Sequence, residues 1–341
     1  MAQEKLALTF DDNTLLPALL GEYNAHLDYL EDKLRVTAAF RGNTIYLEGE
    51  DRAVQQSAVI LNNMIDRLRE GQEVTTATID TILRFQKEED APPSQNPSKK
   101  NNKQSMSKNS KNNGAQDKTN IRTYKNKPID PRSPNQARYV EAINHHDLVF
   151  GIGPAGTGKT FLAVAAAVQM YKDGLIERMV FCRPAVEAGE QLGFLPGDML
   201  EKIDPYLRPI YDALHDMMPP EDIPKKIARG DIEMAPLAFM RGRTLKNAFV
   251  VLDEAQNTTS MQMKMFLTRM GEGTRMVITG DPSQVDLPPR TQSGLKEVMT
   301  ILRDIEEVPF IHFTAEDVVR HPLVSKIIKA YDRHEYSNRS G

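Results

Sequence analysis

One octapeptide constrains this chain more than any other stretch: Gly153-Pro154-Ala155-Gly156-Thr157-Gly158-Lys159-Thr160. Its flanks matter as much as its letters. The apolar run DLVFGI at 147–152 reads as a short strand, and FLAVAAAVQMY follows as a helix. In a strand, G-x-x-x-x-G-K-T, helix unit the glycines let successive backbone N–H groups turn inward as an anion nest. The helix adds its positive N-terminal end. Lys159 is then expected on the β and γ phosphates of a nucleotide, and the Thr160 hydroxyl on Mg²⁺. The expected fold is α/β around a mostly parallel sheet.

Such a loop needs an apolar strand ending in an acid, and FVVLDEAQ at 249–256 supplies one. Asp253 suits the metal, and Glu254 suits a general base that polarises an attacking water. A base next to the metal acid favours hydrolysis over phosphoryl transfer to an acceptor. A third strand, RMVIT at 275–279, runs into Gly280-Asp281-Pro282-Ser283-Gln284, where Gln284 is placed to sense a γ-phosphate or the lytic water. About a dozen residues before the first strand, Gln136 offers the donor and acceptor pair that reads adenine.

Composition bounds the class. The 341 residues suggest about two to three domains. A net charge of -4 excludes a wholly basic nucleic-acid coat. The longest apolar run, Phe161 to Val168, is far short of the ~20 residues that cross a bilayer. The opening MAQEKLALTFDD lacks a signal pattern and Cys182 is a lone cysteine, so a cytoplasmic location is expected.

The charge is unevenly spread. Residues 91–127 are rich in Pro, Ser, Gln, Asn and Lys, and read as a basic disordered linker: nine basic residues face the single acid Asp117 between Pro93 and Lys127. Residues 1–90 are acidic, with 17 acids against 9 bases. Their pattern predicts a strand at 6–10, a helix at 15–34 with Leu19, Tyr23, Leu27 and Leu30 on one face, and a hairpin at 36–47 turning at Gly42-Asn43. Helices over 52–68 and 78–85 follow. This order resembles a KH-like α+β domain, although the GxxG loop with which KH modules grip RNA does not occur before the linker. RNA binding and protein docking both stay open for it.

Together GPAGTGKT, VVLDEAQN and GDPSQ, with CRPAVEAGEQLGFLPGD between them and DVVRHPLV near the end, resemble the PhoH-like ATPases. These are P-loop NTPases with a RecA-like core similar to one half of a superfamily 1 helicase motor. GEYNAHLDYLED and RGNTIYLEGE resemble the branch with an extra N-terminal domain, the YbeZ branch. The resemblance implies a P-loop ATPase domain over 128–341, ATP and Mg²⁺ as ligands, and hydrolysis. By it Gln136 takes adenine, and Gly153, Pro154, Ala155, Gly156, Thr157, Gly158, Lys159 and Thr160 take the phosphates. Thr160 and Asp253 take the metal, and Glu254 and Gln284 act as base and sensor. Arg320 in DVVRHP is implied as the arginine that reaches a γ-phosphate, that of a neighbouring subunit included; a surface salt bridge to Glu316 or Asp317 is its alternative. Work on single-stranded RNA in ribosomal RNA maturation, beside an endoribonuclease of the YbeY type, is implied in the same way.

Further residues stay open. Arg183, at the end of the RMVFCR strand, is expected on a nucleic-acid strand, unless Glu187 and Glu190 turn that stretch toward a neighbouring subunit. Arg241-Gly242-Arg243-Thr244 reads as a small basic turn facing RNA or a neighbouring nucleotide. Met261, Met263 and Met265 read as packing or interface filler. The 214 positions from 128 to 341 hold one motor lobe and not two, so a homo-oligomer, hexameric in one form, is expected to complete the site. An RNA-dependent, helicase-like ATPase and an ATP-gated adaptor that recruits a nuclease both accommodate these features. Glu254 disfavours a kinase.

Overall fold

The computed structural model describes residues 3–89, 121–184 and 199–318, which form two compact units. The linker positions 91–120, Glu187, Glu190, Arg320 and His321 lie outside the described residues.

The N-terminal unit is an antiparallel sheet of β1 (Gln3–Thr9), β2 (Thr37–Arg41) and β3 (Thr44–Glu50), in the order β1-β3-β2. Leu6 pairs with Leu47 and Leu8 with Ile45. The period of two in β3 buries Ile45 and Leu47 and leaves Tyr46 exposed. On the buried face lies α3 (Asp51–Arg69), whose Val54, Ala58, Leu61 and Ile65 recur at helical spacing, with α4 (Thr76–Glu89) beside it.

The helix predicted over 15–34 is broken. It divides into α1 (Leu16–Leu20), a 3-10 turn at Glu22–Asn24 and α2 (Ala25–Leu34). Gly21 ends α1 at φ 74°, and Tyr23 and Asn24 follow at φ 52° and 62°. A glycine after an apolar helix is a common stop. The apolar spacing runs across the break, so Leu19, Leu27 and Leu30 are buried while Tyr23 is 97% exposed.

The larger unit carries six strands: β4 (Leu148–Ile152), β5 (Arg178–Arg183), β6 (Ile232–Pro236), β7 (Ala248–Leu252), β8 (Arg275–Gly280) and β9 (Phe310–His312). Their order is β6-β5-β7-β8-β4-β9 and every pair is parallel. A parallel sheet covered on both faces needs strands apolar on both sides, and β7 is buried at every position. Phe249 and Val251 join the core on one face, and Val250 and Leu252 the core on the other.

The first face packs α5 (Pro134–His145), α6 (Lys159–Lys172) and α7 (Met199–Met217). The second packs α9 (Ser260–Leu267) and α10 (Gly294–Ile301). Helix α8 (Asp222–Arg229) leads into β6. In α9, Met263 is buried, Met265 half-buried and Met261 83% exposed. Phe310 stacks on Phe150 at 4.4 Å and ties the short edge strand β9 to β4.

Residues 121–127, assigned to the linker by composition, belong to this unit. Ile121 is buried in its core and accepts the Ile129 N–H, while the Tyr124 N–H donates to the Asp216 carbonyl of α7. One isoleucine in a polar stretch is too little pattern to reveal this.

Candidate functional site

The site lies at the carboxyl ends of β4, β8, β7 and β5, where ligands of open parallel sheets bind. Two backbone bonds level these ends. The Gly153 N–H donates to the Gly280 carbonyl at 3.0 Å, and the Asp253 N–H to the Cys182 carbonyl at 2.9 Å.

The P-loop spans β4 to α6. Gly153 has φ 147°, and a Cβ there would stand 2.4 Å from the Phe313 carbonyl oxygen, so glycine alone fits. Gly158, at φ 83°, precedes the first residue of α6. The loop is braced from within: the Thr157 hydroxyl donates to the Pro154 carbonyl at 2.9 Å. It is braced from α5 by the buried Gln136, whose Nε2 donates to the Thr157 carbonyl at 2.9 Å. Gln136 therefore touches the P-loop itself, and adenine recognition requires this amide to be shared.

Lys159 is folded onto its own loop. Its Nζ donates to the Gly153 and Pro154 carbonyls, both at 2.7 Å, and to Thr157 Oγ1 at 3.2 Å. Burial lowers its pKa from the usual lysine value, opposed by the carboxylates of Asp281, Asp253 and Glu254.

The acids stand opposite. Asp253, buried, accepts the Thr160 hydroxyl at 2.8 Å and the Thr279 hydroxyl at 2.7 Å, both on Oδ1. A threonine hydroxyl and a carboxylate at the foot of the loop are hard oxygen donors of the kind Mg²⁺ takes. Glu254, at φ 53°, leaves the strand direction and turns its carboxylate sideways. Its Oε1 accepts from Arg183 Nη2 at 2.7 Å and its Oε2 from Gln256 Nε2 at 2.6 Å. Gln256 is 1% exposed, and its Oε1 accepts the Asp281 N–H at 3.0 Å, so it joins the base to the GDPSQ turn.

In that turn Asp281 Oδ1 accepts from the N–H and hydroxyl of Ser283 at 2.9 and 2.6 Å. Its Oδ2 is buried without a partner among the described residues. Gln284 is exposed, with its N–H on the Asp281 carbonyl at 3.0 Å.

Residues 128–332 match the family described as PhoH-like protein. The chain is similar to the PhoH-like protein of Bacillus subtilis (strain 168), 45% identical over 316 residues that cover 93% of each chain. It is similar also to the PhoH-like protein of Mycobacterium tuberculosis (strain ATCC 25618 / H37Rv), at 46% over 324 residues, 94% of this chain and 86% of the relative. This chain belongs to the PhoH-like protein family. Among solved structures the Sulfolobus solfataricus SWI2/SNF2 ATPase core in complex with dsDNA matches at 14% identity and a TM-score of 0.33, over 58% of this chain and 45% of that one.

The PhoH-like core thus brings Lys159, Thr160, Asp253 and Glu254 into one cluster, with Gln136 behind the loop and the Gln284 turn beside it. Residues 153–160 form a P-loop that runs from β4 into α6. Arg320 lies outside the described residues; upstream, Asp317 is bonded to Asn135 Nδ2 at 2.9 Å and to the Thr314 N–H at 2.6 Å.

Arg183, expected on a nucleic-acid strand, and Arg243, expected to face RNA or a neighbouring nucleotide, are each paired with carboxylates. Arg183 is 16% exposed and faces the two acids. Arg243 holds both carboxylate oxygens of Glu233, Nη2 to Oε2 at 2.7 Å. Each long basic side chain has a carboxylate in reach on another segment of the chain, a pairing that linear charge counting does not see. Missed altogether were Gln256, Thr279 and Asp281. Gln256 stands two residues after Glu254, and Asp281 directly after a strand, so only their neighbourhood marked them.

Proposed function

We propose that this PhoH-like chain binds ATP with Mg²⁺ and hydrolyses it, and that it spends the hydrolysis on RNA as an RNA-dependent, helicase-like ATPase in ribosomal RNA maturation. The observation that carries hydrolysis is the acid pair at the end of β7. Asp253 is turned onto the P-loop threonine, and adjacent Glu254 is turned by its left-handed backbone away from that threonine, onto Arg183 and Gln256. One acid is left for the metal and one for the water.

Thr160, and Asp253 through water, would hold Mg²⁺, which would supply positive charge against the phosphates. Lys159 exchanges the Gly153 and Pro154 carbonyls for phosphate oxygens. Glu254 takes a proton from water as the water oxygen attacks the γ-phosphorus and the bond to the ADP oxygen breaks. Gln256 holds the Glu254 carboxylate to the GDPSQ turn, where Gln284 reports the phosphate.

Assembly into a homo-oligomer, a hexameric ring among the possible forms, lets Arg320 of one subunit serve the next. A cytoplasmic location and an endoribonuclease partner of the YbeY type complete this reading. Among the described residues no helix is long and apolar enough to cross a membrane.

A second reading, the ATP-gated adaptor, is favoured by one observation: Arg183, the residue expected on RNA, is committed to the acids of the site. The two separate in steady-state phosphate release with and without single-stranded RNA. A rise of several-fold supports the RNA-dependent ATPase; turnover indifferent to RNA supports the adaptor.

A further inference from the structure

Three groups of the site are held by neighbours that a nucleotide would displace. Lys159 Nζ lies on the Gly153 and Pro154 carbonyls, bonds it would exchange for phosphate oxygens. The Thr160 hydroxyl lies on Asp253, where it later needs the metal. The third is Arg183, whose Nη2 is 2.7 Å from Glu254 Oε1 and whose Nε is 3.9 Å from Asp253 Oδ2. As the last residue of β5 it stands level with these acids, since Cys182 pairs with Leu252 and accepts the Asp253 N–H.

Arg183 is 16% exposed, so its charge acts in a partly water-excluded setting where it counts for more than on the surface. The cluster otherwise has Lys159 facing Asp253, Glu254 and Asp281. A γ-phosphate placed beside the Glu254 carboxylate meets like charge, and a guanidinium already lying on that carboxylate is placed to offset it together with Lys159 and Mg²⁺. The pair also occupies an oxygen of the group that must take a proton.

We propose that Arg183 is a further catalytic residue of this site: with ATP bound, its guanidinium leaves Glu254 for the γ-phosphate, which stabilises the transferred group and frees the base in one movement. The proposal rests on the hydrolysis reading above. In the step itself the water oxygen bonds to the γ-phosphorus, the bond to the ADP oxygen breaks, and Glu254 holds the water proton. Arg183 forms and breaks no covalent bond. It answers charge that ADP does not carry, so it separates ATP from ADP.

The test uses the full chain with Mg²⁺. Turnover is compared between the unmodified protein and Arg183→Gln. Affinities for fluorescent ATP and ADP are compared between Glu254→Gln and Glu254→Gln with Arg183→Gln, so that ATP stays intact. Turnover at saturating ATP is expected to fall by about a hundredfold or more. ATP affinity is expected to fall about tenfold, the loss of one charge-assisted bond, with ADP affinity unchanged.

An unchanged ratio of ATP to ADP affinity overturns the proposal, whether turnover falls or rises, because Arg183 then acts on Glu254 alone. Arg183→Met, which keeps the aliphatic stem, replaces the glutamine variant in both comparisons if the latter loses ADP binding. If the unmodified protein shows no turnover, the hydrolysis reading fails, and the affinity ratio still decides whether Arg183 meets the γ-phosphate.

Discussion

The hydroxyl of Thr160 donates to Oδ1 of Asp253 at 2.8 Å and ties the first turn of α6 to the end of β7. The same oxygen accepts the Thr279 hydroxyl from β8, the strand between β7 and β4. Three segments distant in sequence thus meet at one carboxylate.

Thr279 is fully buried, and without Asp253 its hydroxyl keeps only the Leu252 carbonyl at 3.4 Å. Asp253→Ala is expected to abolish Mg²⁺-dependent turnover and to cost about 1–3 kcal/mol of stability, the penalty for a buried polar group left poorly paired. Thr279→Val removes one donor and leaves the carboxylate one hydroxyl short. Its expected cost is about 1 kcal/mol, with nucleotide binding retained. Denaturant unfolding with and without ADP checks both.

Gln256 is a buried side chain that joins Glu254 to the Asp281 backbone, at 2.6 and 3.0 Å. Gln256→Leu fills similar space without either bond. Turnover is expected to fall at least about tenfold while the KM for ATP moves less than about twofold, because the variant disturbs the base and not the P-loop. A rise in KM with unchanged kcat would contradict this role.

Gly153 has no room for a methyl group, and its φ of 147° disfavours one as well. Gly153→Ala must push the Phe313 backbone away from the end of β4. The expected result is weaker binding of ADP and ATP alike, by about tenfold or more, read by titration calorimetry.

The Glu233 and Arg243 pair makes a pH prediction. The guanidinium holds the Glu233 carboxyl below the usual carboxylate range. A carboxyl with a depressed folded value contributes stability above its unfolded value, and this is lost as pH falls through the folded value. Thermal scans from neutral pH down to below the usual glutamate range are therefore expected to show a smaller acid-induced drop in Tm for Arg243→Gln than for the unmodified chain. The pair is partly exposed, so at neutral pH the difference should be no more than about 1 kcal/mol.

Much of the larger unit was legible because its signals are local. A strand, a glycine loop and a helix stand in one contiguous stretch at 147–171, and an apolar strand ends in two acids at 253 and 254. The contiguous P-loop needs no knowledge of what lies across the sheet. The order β6-β5-β7-β8-β4-β9 is set by pairings between distant segments, so the meeting of Thr160, Thr279 and Asp253 could not be read from spacing.

The pairing of Arg183 with Glu254 was hidden for the same reason, since 71 positions separate them. In the smaller unit the apolar period was right at Leu19, Leu27 and Leu30 and wrong at Tyr23. The period continues through Gly21, whereas the backbone at Gly21 to Asn24 does not.

The most direct test of hydrolysis by Glu254 is phosphate release from Mg-ATP by the full chain and by Glu254→Gln, with ATP binding measured on both. The expected result is steady turnover for the unmodified chain and loss of at least about a hundredfold in the variant, with ATP still bound. Equal turnover in the two proteins, or none in either while ATP is bound, would contradict it.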